Sequence, residues 1–435
     1  MENFKGNVLF VTGIPETNQV YEGLERIKKM GYKVYLLSEV HFDPLPNVFE
    51  NQFLFDIANT TGTLDFLKSQ PIHFNAIITK SRELAPPLIS LLAKHYRCIG
   101  ENPRVVFSCR SKYHMRKKMR EAGLPIPNFE LCQNYEELNN AVSKIGIPCV
   151  LKPVGGHSSF GAFLIQNETD RKNLKEKYEN AIRYLTALSD VKFREAISFT
   201  KEELSLMDVT DSLNLITDYL VEEYMEGPEI SVDSLTQDGQ STIMGIADQV
   251  RMKPPFFIQI AEKMPLVCEN SLEQKIRDLA HKTIKAMGIQ NSPSHIEMIL
   301  TKDGPKIVEI ACRMGSDNIH DFIYQTTGYN MIYETMMIAL GVPRNYELGI
   351  PKCHMAMEYL LPEKKGKITG IIVSEEGKMN QNITEMYFEK IGTAVAPPPE
   401  NFDFLGYIST KGHTPHEAQK NLQKALEQVK IIIDE

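Results

Sequence analysis

The sequence predicts a mixed α/β protein, α+β in its central core, in which an N-terminal parallel βαβ domain precedes antiparallel sheets. The first hundred residues alternate short apolar runs with helix-spaced segments. Residues 219–247 instead alternate apolar and polar side chains between Gly-containing turns, and two strand-like runs flank a turn signal at 302–305. Strand–helix alternation builds parallel sheets, whereas consecutive strands joined by short turns build antiparallel ones.

The N-terminal unit is predicted from apolar runs and helical spacings that follow one another. They are strands at 7–12, 33–37 and 75–79 and helices at 20–30 and 84–93. The turn after the first strand reads Thr12-Gly-Ile-Pro-Glu-Thr-Asn18 and is not GxGxxG, so a dinucleotide-binding site is poorly supported.

Later segments are predicted from charge and periodicity. They are a basic helix at 111–121, a charged stretch of two or more surface helices at 168–211, an amphipathic helix at 271–287, a hairpin of strands 294–301 and 306–311, and a closing helix at 415–432. The expected domains are an N-terminal βαβα domain at 1–101, a central lid domain at 102–222 containing the helical insertion 168–211, and a catalytic domain at 223–435 with a terminal subdomain at 344–435.

Composition restricts the classes of function. The chain has 435 residues, 42% of them apolar and 24% charged, with a formal charge of −8. An acidic chain is unlike a dedicated nucleic-acid or anionic-membrane binder, and no apolar run approaches the ~18–20 residues that span a bilayer. The N-terminus lacks signal-peptide features, and the seven cysteines lie far apart without a CxxC pair, so we expect a cytoplasmic protein without a disulfide framework or zinc site.

The first chemical motif is a lysine followed by a loop rich in glycine and serine, Lys152-Pro-Val-Gly-Gly-His-Ser-Ser-Phe-Gly161. Glycines let the backbone approach a ligand closely, and the hydroxyls of Ser158 and Ser159 add donors, so the loop suits a polyphosphate. The lysine starts the loop instead of ending it, which excludes the Walker pattern. A plain hairpin turn is the structural alternative.

The second motif is Glu222-Glu-Tyr-Met-Glu-Gly-Pro-Glu229, in which a strand ends in carboxylates, turns, and restarts. Backbone groups of such a hinge can read the edge of an adenine, and a carboxylate can accept hydrogen bonds from ribose hydroxyls. A solvated acidic turn explains the same residues.

The third motif places Glu297 and Glu309 inside otherwise apolar strands, with Arg313 four residues further on. Neighbouring carboxylates repel unless a divalent cation lies between them, and Mg²⁺ or Mn²⁺ is bound by one or two carboxylates plus substrate phosphates. An odd-length loop around Asp303 would place the two glutamates opposite each other, whereas a four-residue loop would place them on opposite faces. Arg313 could hold an anionic substrate or a developing oxyanion. Structural salt bridges are the alternative.

In this order the three motifs resemble the ATP-grasp superfamily over residues 102–341, and most closely its carboxylate–amine ligases, in particular the L-amino acid ligases that form dipeptides. The resemblance implies ATP, two Mg²⁺ or Mn²⁺ ions and amino acid substrates. It assigns the nucleotide to Lys112, Lys152, Gly156, Ser158, Ser159, Glu222, Glu223, Met225 and Glu229. It assigns the metal to Glu297 and Glu309, and the acyl phosphate to Arg313.

One departure concerns Ala311, which occupies the position where many members carry a metal-binding asparagine; amino acid ligases also show a small residue there. The family reaction forms an acyl phosphate that an amine then attacks. The base that accepts the amine's proton is open between Glu262, His295, Asp317 and His320, and a carboxylate at Glu262 would favour a cationic amino acid.

The sequence therefore predicts an ATP-dependent ligase that joins an amino acid carboxylate to an amine. Two alternatives remain: a carboxylase-type enzyme that activates bicarbonate, and a nucleotide-binding protein without ligase activity. Neither a nucleic acid nor a membrane is an expected partner, and a homodimer is possible because flanking domains of this group often mediate dimers.

Overall fold

A computed structural model describes residues 4–14, 16–156, 161–187, 199–252, 257–316, 318–398, 401 and 403–434. Its first sheet is parallel, in the order β3-β2-β1-β4. Its elements are β1 (Gly6–Val11), α1 (Asn18–Lys29), β2 (Tyr32–Ser38), β3 (Phe49–Leu54), α2 (Thr60–Lys68), β4 (Ala76–Thr79) and α3 (Ala85–Tyr96). The predicted parallel unit is confirmed, and β3 and α2 are additional elements. Strand β3 carries polar residues because it lies at the edge of the sheet, which hides it from a search for apolar runs.

The second sheet is four-stranded and antiparallel, in the order β5-β8-β6-β7. This part of the chain comprises α4 (Pro103–Arg110), α5 (Lys112–Glu121), β5 (Phe129–Cys132), α6 (Tyr135–Ile145), β6 (Cys149–Pro153), β7 (Phe163–Ile165), α7 (Glu168–Lys172), α8 (Leu174–Ala187), α9 (Lys201–Leu206) and β8 (Tyr219–Glu223).

The described part of the charged stretch at 168–211 contains helices, as predicted, but some of their side chains belong to the core. Leu174, Tyr178 and Leu185 on α8 are buried in one cluster with Leu138 and Tyr219. The helix therefore covers the outer face of the second sheet. The sequence prediction overlooked these apolar positions because the many charged residues between them, which face solvent, dominate the composition of this segment.

The remaining strands and helices are β9 (Glu229–Gln237), β10 (Gln240–Arg251), β11 (Gln259–Met264), α10 (Asn270–Met287), β12 (Ser292–Thr301), β13 (Gly304–Ala311), α11 (Ile319–Thr327), α12 (Met331–Ala339), β14 (His354–Leu360), β15 (Gly366–Val373), α13 (Glu375–Lys378), β16 (Ile383–Phe388), β17 (Ala394–Val395), β18 (Gly406–Gly412), α14 (Pro415–Glu427) and β19 (Val429–Asp434). Eight strands form the large sheet, in the order β13-β12-β9-β10-β11-β14-β18-β16, and three form a small one, β17-β15-β19. The mixed α/β class is thus confirmed. Residues after 344 contribute three strands to the large sheet, and the domain boundaries given above remain predictions.

One apolar cluster joins the N-terminal sheet to the large sheet. It contains side chains of β1 and β2, of α12, and of β10 and β14. The carboxyl edge of the parallel sheet is thereby held against the functional residues described below.

The hairpin of β12 and β13 has a register set by a bulge. Thr301 pairs with Gly304 across a two-residue turn, which by itself would place Glu297 opposite Val308. A bulge between Glu297 and Met298 makes Val308 the extra residue, so Glu297 pairs with Glu309. The two carboxylates do share a face, but the predicted reason, an odd-length loop, was wrong.

All seven cysteines are free, in agreement with the sequence, and two of them meet in the core. The sulfur atoms of Cys109 on α4 and Cys312 after β13 lie 3.3 Å apart. In the described residues, no helix has both the length and the apolar character needed to cross a bilayer.

Candidate active site

A cavity of about 180 Å³ lies between the second sheet and the large sheet. Nine side chains or backbone positions that the sequence assigned to the nucleotide or the metal line it: Lys112, Lys152, Gly156, Glu222, Glu223, Met225, Glu229, Glu297 and Glu309. They come from α5, β6, the end of β8, β9, β12 and β13. The three motifs, at residues 152–161, 222–229 and 294–313, therefore meet around one space.

Lys152, at the end of β6, is held by a carboxylate that a second cation also holds. Its Nζ lies 2.6 Å from Glu222 Oε2, and Arg116 Nε donates to Glu222 Oε1 at 2.7 Å. Burial alone would raise the pKa of Glu222, but the two cations lower it to about 2. Glu222 is therefore an ionised anchor for Lys152, and its carboxylate is already engaged.

Lys112, at the start of α5, connects the glycine loop to the predicted metal carboxylates. Its Nζ donates to the carbonyl of Gly156 at 2.8 Å and lies 3.9 Å from Glu309 Oε2. Burial lowers the pKa of this amine, and Glu309 opposes the shift. Gly156 has a φ of +93° and Gly161 a φ of +73°, so both ends of the loop use backbone conformations that favour glycine. Ser158 and Ser159 lie between them, outside the described residues.

Glu229 and Glu297 share a single arginine, Arg251 at the end of β10. Its Nη2 pairs with Glu229 Oε1 and lies 3.3 Å from Glu297 Oε2. Burial and the neighbouring Glu297 raise the pKa of Glu229. Burial also acts on Glu297, but Arg251 and His295 lower its pKa overall. Negative charge is therefore concentrated here and only partly neutralised.

His295 lies in a chain of charged groups under the sheet surface. Its Nδ1 is 3.0 Å from Asp233 Oδ2 and its Nε2 is 3.6 Å from Glu297 Oε1. Burial alone would lower the pKa of His295, but the two carboxylates raise it to about 10, so the ring carries its proton at neutral pH. Asp233 also accepts a hydrogen bond from the Gly315 amide at 2.8 Å, which fixes the turn after Arg313.

Arg313 lies beside the nucleotide cavity and lines a second, smaller cavity of about 60 Å³. Its guanidinium pairs with Glu83, which also accepts from Arg110 Nη1 at 2.5 Å. Burial opposes its charge, but Glu83, Glu309 and Glu297 raise the pKa of Arg313. Glu83 follows β4, so the N-terminal domain orients this arginine.

Two other candidate bases, Glu262 and His320, do not line the cavity. Glu262 is fully buried on β11, where it pairs in register with Gln249 and Met357. His320, near the start of α11, has Nε2 3.0 Å from Thr17 Oγ1. Asp317 is outside the described residues.

The donor set fits a divalent cation only together with other ligands. No group of three or more His, Cys, Asp or Glu side chains with metal-site geometry occurs in the described part of the chain. Two carboxylates opposed across a hairpin match the way Mg²⁺ is held when phosphate oxygens complete its coordination.

Reasoning from sequence missed four charged residues of the site: Arg116, Arg251, Asp233 and Glu83. Each is a partner of a predicted residue and belongs to no motif of its own. Arg116 carried one signal, an arginine on the inner side of a helix whose Met115 and Met119 are buried.

Comparison with known proteins agrees with this geometry. The ATP-grasp domain family matches residues 117–238 in one description and 185–321 in another, and the L-amino acid ligase C-terminal domain 2 matches residues 358–434. Alanine–anticapsin ligase of Bacillus subtilis is 25% identical over 256 residues, which cover 58% of this chain and 52% of that protein. The L-arginine-specific L-amino acid ligase of Bacillus subtilis is 22% identical over 297 residues, 68% of this chain and 65% of that protein.

The fold is shared along the whole chain. The crystal structure of an L-amino acid ligase from Bacillus licheniformis superimposes with a TM-score of 0.81 at 20% identity, covering 99% of both chains. The matched family descriptions and the shared fold both indicate an ATP-grasp protein. Its C-terminal part is similar to a domain of the L-amino acid ligases. The chain spans about half to two thirds of the length of these two curated relatives.

Proposed function

We propose that the protein activates the carboxylate of an amino acid as an acyl phosphate, at the expense of ATP, and joins it to an amine of a second amino acid to give a dipeptide, ADP and phosphate. The observation that carries the proposal is the meeting of Lys112, Lys152, Glu297 and Glu309 around one cavity. Phosphoryl transfer needs mainly positioning and charge neutralisation, which two lysines and a metal-binding carboxylate pair supply.

Each group has a role that its position supports. Lys112 and Lys152 are suited to neutralising phosphate oxygens, and the carbonyl of Gly156 accepts a hydrogen bond from Lys112 at the cavity wall. Glu223, Met225 and Glu229 take the adenosine side of the cavity. Glu297 and Glu309 hold Mg²⁺, which when bound neutralises charge on the transferring phosphate.

The second half-reaction takes place near Arg313. A guanidinium fixed by Glu83 beside the carboxylate pair is suited to an oxyanion that develops when the amine attacks the acyl carbon. The adjoining Gly315-Ser316 turn is held in place by Asp233, which accepts a hydrogen bond from the Gly315 amide.

The arrangement narrows the candidates for the base. His295 keeps its proton between Asp233 and Glu297, so it is unsuited to accepting another from the amine. It serves instead as a buried cation that holds Glu297 in place. Glu262, Asp317 and His320 stay as candidates.

A screen of product formation tests the proposal. Purified protein is incubated with Mg²⁺, ATP and every pair of the twenty amino acids, with phosphate release and product masses recorded. A dipeptide mass that depends on ATP is the expected result. Phosphate release that depends on bicarbonate and on no amino acid would replace the ligase with a carboxylase-type enzyme. ATP binding without turnover in any mixture would leave a nucleotide-binding protein.

A further inference from the structure

Arg116 on α5 is buried behind the wall of the nucleotide cavity. It is 1% exposed and does not line the cavity. A buried guanidinium is costly to desolvate, and apolar residues of the same volume would pack these elements together at least as well. Packing alone therefore does not explain an arginine at this position, and its contacts with the neighbouring site are relevant.

The guanidinium contacts both halves of that site. Nε and Nη2 donate to the two oxygens of Glu222, at 2.7 and 3.1 Å, and Glu222 in turn holds Lys152. Nη2 also donates to the carbonyl of Val308 at 2.7 Å. Val308 is the bulge residue that brings Glu309 opposite Glu297.

We propose that Arg116 is a positioning residue that couples the phosphate-side lysine to the metal carboxylates. Nε and Nη2 together fix Lys152 through Glu222. Nη2 also donates to the carbonyl of Val308, which holds the bulge and thereby the register of Glu309. This inference rests on the proposed function, since it supposes that Lys152 and Glu309 serve a magnesium nucleotide.

Only arginine can make both contacts. The planar guanidinium binds a carboxylate with two parallel donors and still has a donor for a carbonyl, whereas a lysine amine is a point charge on a flexible stem. Lysine at position 116 would keep a positive charge beside Glu222 but release the Val308 carbonyl. The two contacts are therefore separable by substitution.

The experiment measures the dissociation constant of ATP by titration calorimetry, once with excess Mg²⁺ and once with EDTA, on the full-length chain. The variants are Arg116→Lys and Arg116→Met. The matched control is Arg344→Met. Arg344 does not line the cavity, and it makes an equivalent two-donor pair with Glu334, with distances of 2.6 and 2.9 Å. Thermal unfolding of each variant sets a temperature at which all are folded.

We expect Arg116→Met to weaken ATP binding about 10–100-fold in both conditions, in the range that supporting residues of metal sites show. For Arg116→Lys, we expect an ATP dissociation constant in EDTA within about threefold of the wild-type value. The increase in ATP affinity that Mg²⁺ causes should be about tenfold smaller than in the wild type. Arg344→Met should lose thermal stability but bind ATP as the wild type does. If Arg116→Met does not fold, the Arg116→Lys comparison carries the test.

The inference is overturned if the folded Arg116 variants bind ATP like the wild type in both conditions, or if Arg344→Met weakens binding equally. Failure of the magnesium-nucleotide premise looks different, because the wild type itself then binds no ATP, or binds it without any effect of Mg²⁺. Failure of the ligase activity alone appears in the product screen and leaves this binding measurement unaffected.

Discussion

The carboxylates on the two walls of the candidate nucleotide cavity differ in their cationic partners. On the wall formed by the second sheet, Glu222 is held by two cations, Arg116 and Lys152. On the wall formed by the large sheet, Glu229 and Glu297 share Arg251, Glu297 also lies 3.6 Å from His295, and Glu309 lies 3.9 Å from Lys112.

This difference suggests two roles: Glu222 is a structural support for Lys152, whereas Glu297 and Glu309 are the candidate ligands of a metal ion. A carboxylate with two buried cationic partners is fully compensated, so it can serve as a fixed support. Glu229, Glu297 and Glu309 lie close together and share their cations, and a divalent cation between neighbouring carboxylates relieves their repulsion. This charge distribution supports the proposal that Mg²⁺ binds at the large sheet and that Lys152 on the second sheet faces the phosphates.

The largest expected effect is on turnover, when one residue of either wall is neutralised. Lys152→Met and Glu309→Gln should each reduce ADP formation by at least about 100–1000-fold, because each removes charge that faces the transferring phosphate. Phosphate release with a responsive amino acid pair is the measurement. Lys424→Met, which removes an exposed partner of Glu376, should act like the wild type. Near-normal rates in either site variant would contradict the assignment of that wall.

A second prediction concerns Arg313 and separates nucleotide binding from product formation. Because Arg313 lies beside the cavity and not in its lining, Arg313→Ala should leave ATP affinity within a few-fold of the wild type while product formation falls by roughly 100-fold. Titration with ATP and product masses give the two quantities. Equal losses in both would place the arginine on the nucleotide side.

The pH dependence of stability should distinguish the compensated acid. The folded pKa of Glu222 is about 2, below the usual 4.5, so its contribution is present above about pH 4.5 and is lost as the pH falls toward 2. This contribution is of order 3 kcal/mol for a fully buried group. The free energy of unfolding, measured with urea between pH 2.5 and 6, should rise less steeply with pH for Glu222→Gln than for the wild type. Glu223→Gln, at the half-exposed neighbouring carboxylate, is the control.

Removal of Arg251 should expose the repulsion on the other wall. Arg251→Met is expected to lower the free energy of unfolding by about 2 kcal/mol without metal, because Glu229 and Glu297 lose their shared partner. Millimolar Mg²⁺ should restore part of this loss, as read by thermal unfolding with and without the ion. Arg277→Met, which breaks a surface pair with Glu273, should change stability by less than about 0.5 kcal/mol and show no response to Mg²⁺.

The smallest effect is expected at the turn after Arg313. A Cβ at Gly315 would lie 2.9 Å from His295 Nδ1 and 3.0 Å from Asp233 Oδ1, so Gly315→Ala should strain that pair and destabilise the protein by about 1 kcal/mol. Gly349→Ala, where a Cβ meets nothing within 4 Å, provides the comparison by thermal unfolding. Equal melting temperatures for the two variants would show that the turn adapts without cost.

Many residues of the candidate site could be predicted from the sequence because they are unusual for their local surroundings. Glu297 and Glu309 are charged positions in apolar strands, and Lys152 precedes a run of glycines, so each carries its own signal in the sequence. Their partners carry no such signal. Arg251 ends a strand and Glu83 lies in a loop, both ordinary places for charged residues, and only their three-dimensional neighbours reveal what they do.

The sequence by itself determined the succession of parallel and antiparallel elements and the residue types that reach the cavity, because periodicity and the placement of glycine, lysine and glutamate are local properties. The tertiary structure decided the pairing of those charges. The register of Glu297 with Glu309 depends on a bulge, and the protonation of His295 depends on acids from two other positions in the sheet. The bulge is a local irregularity that periodicity does not reveal, and Asp233 lies 62 residues before His295, so only the folded packing brings these two together.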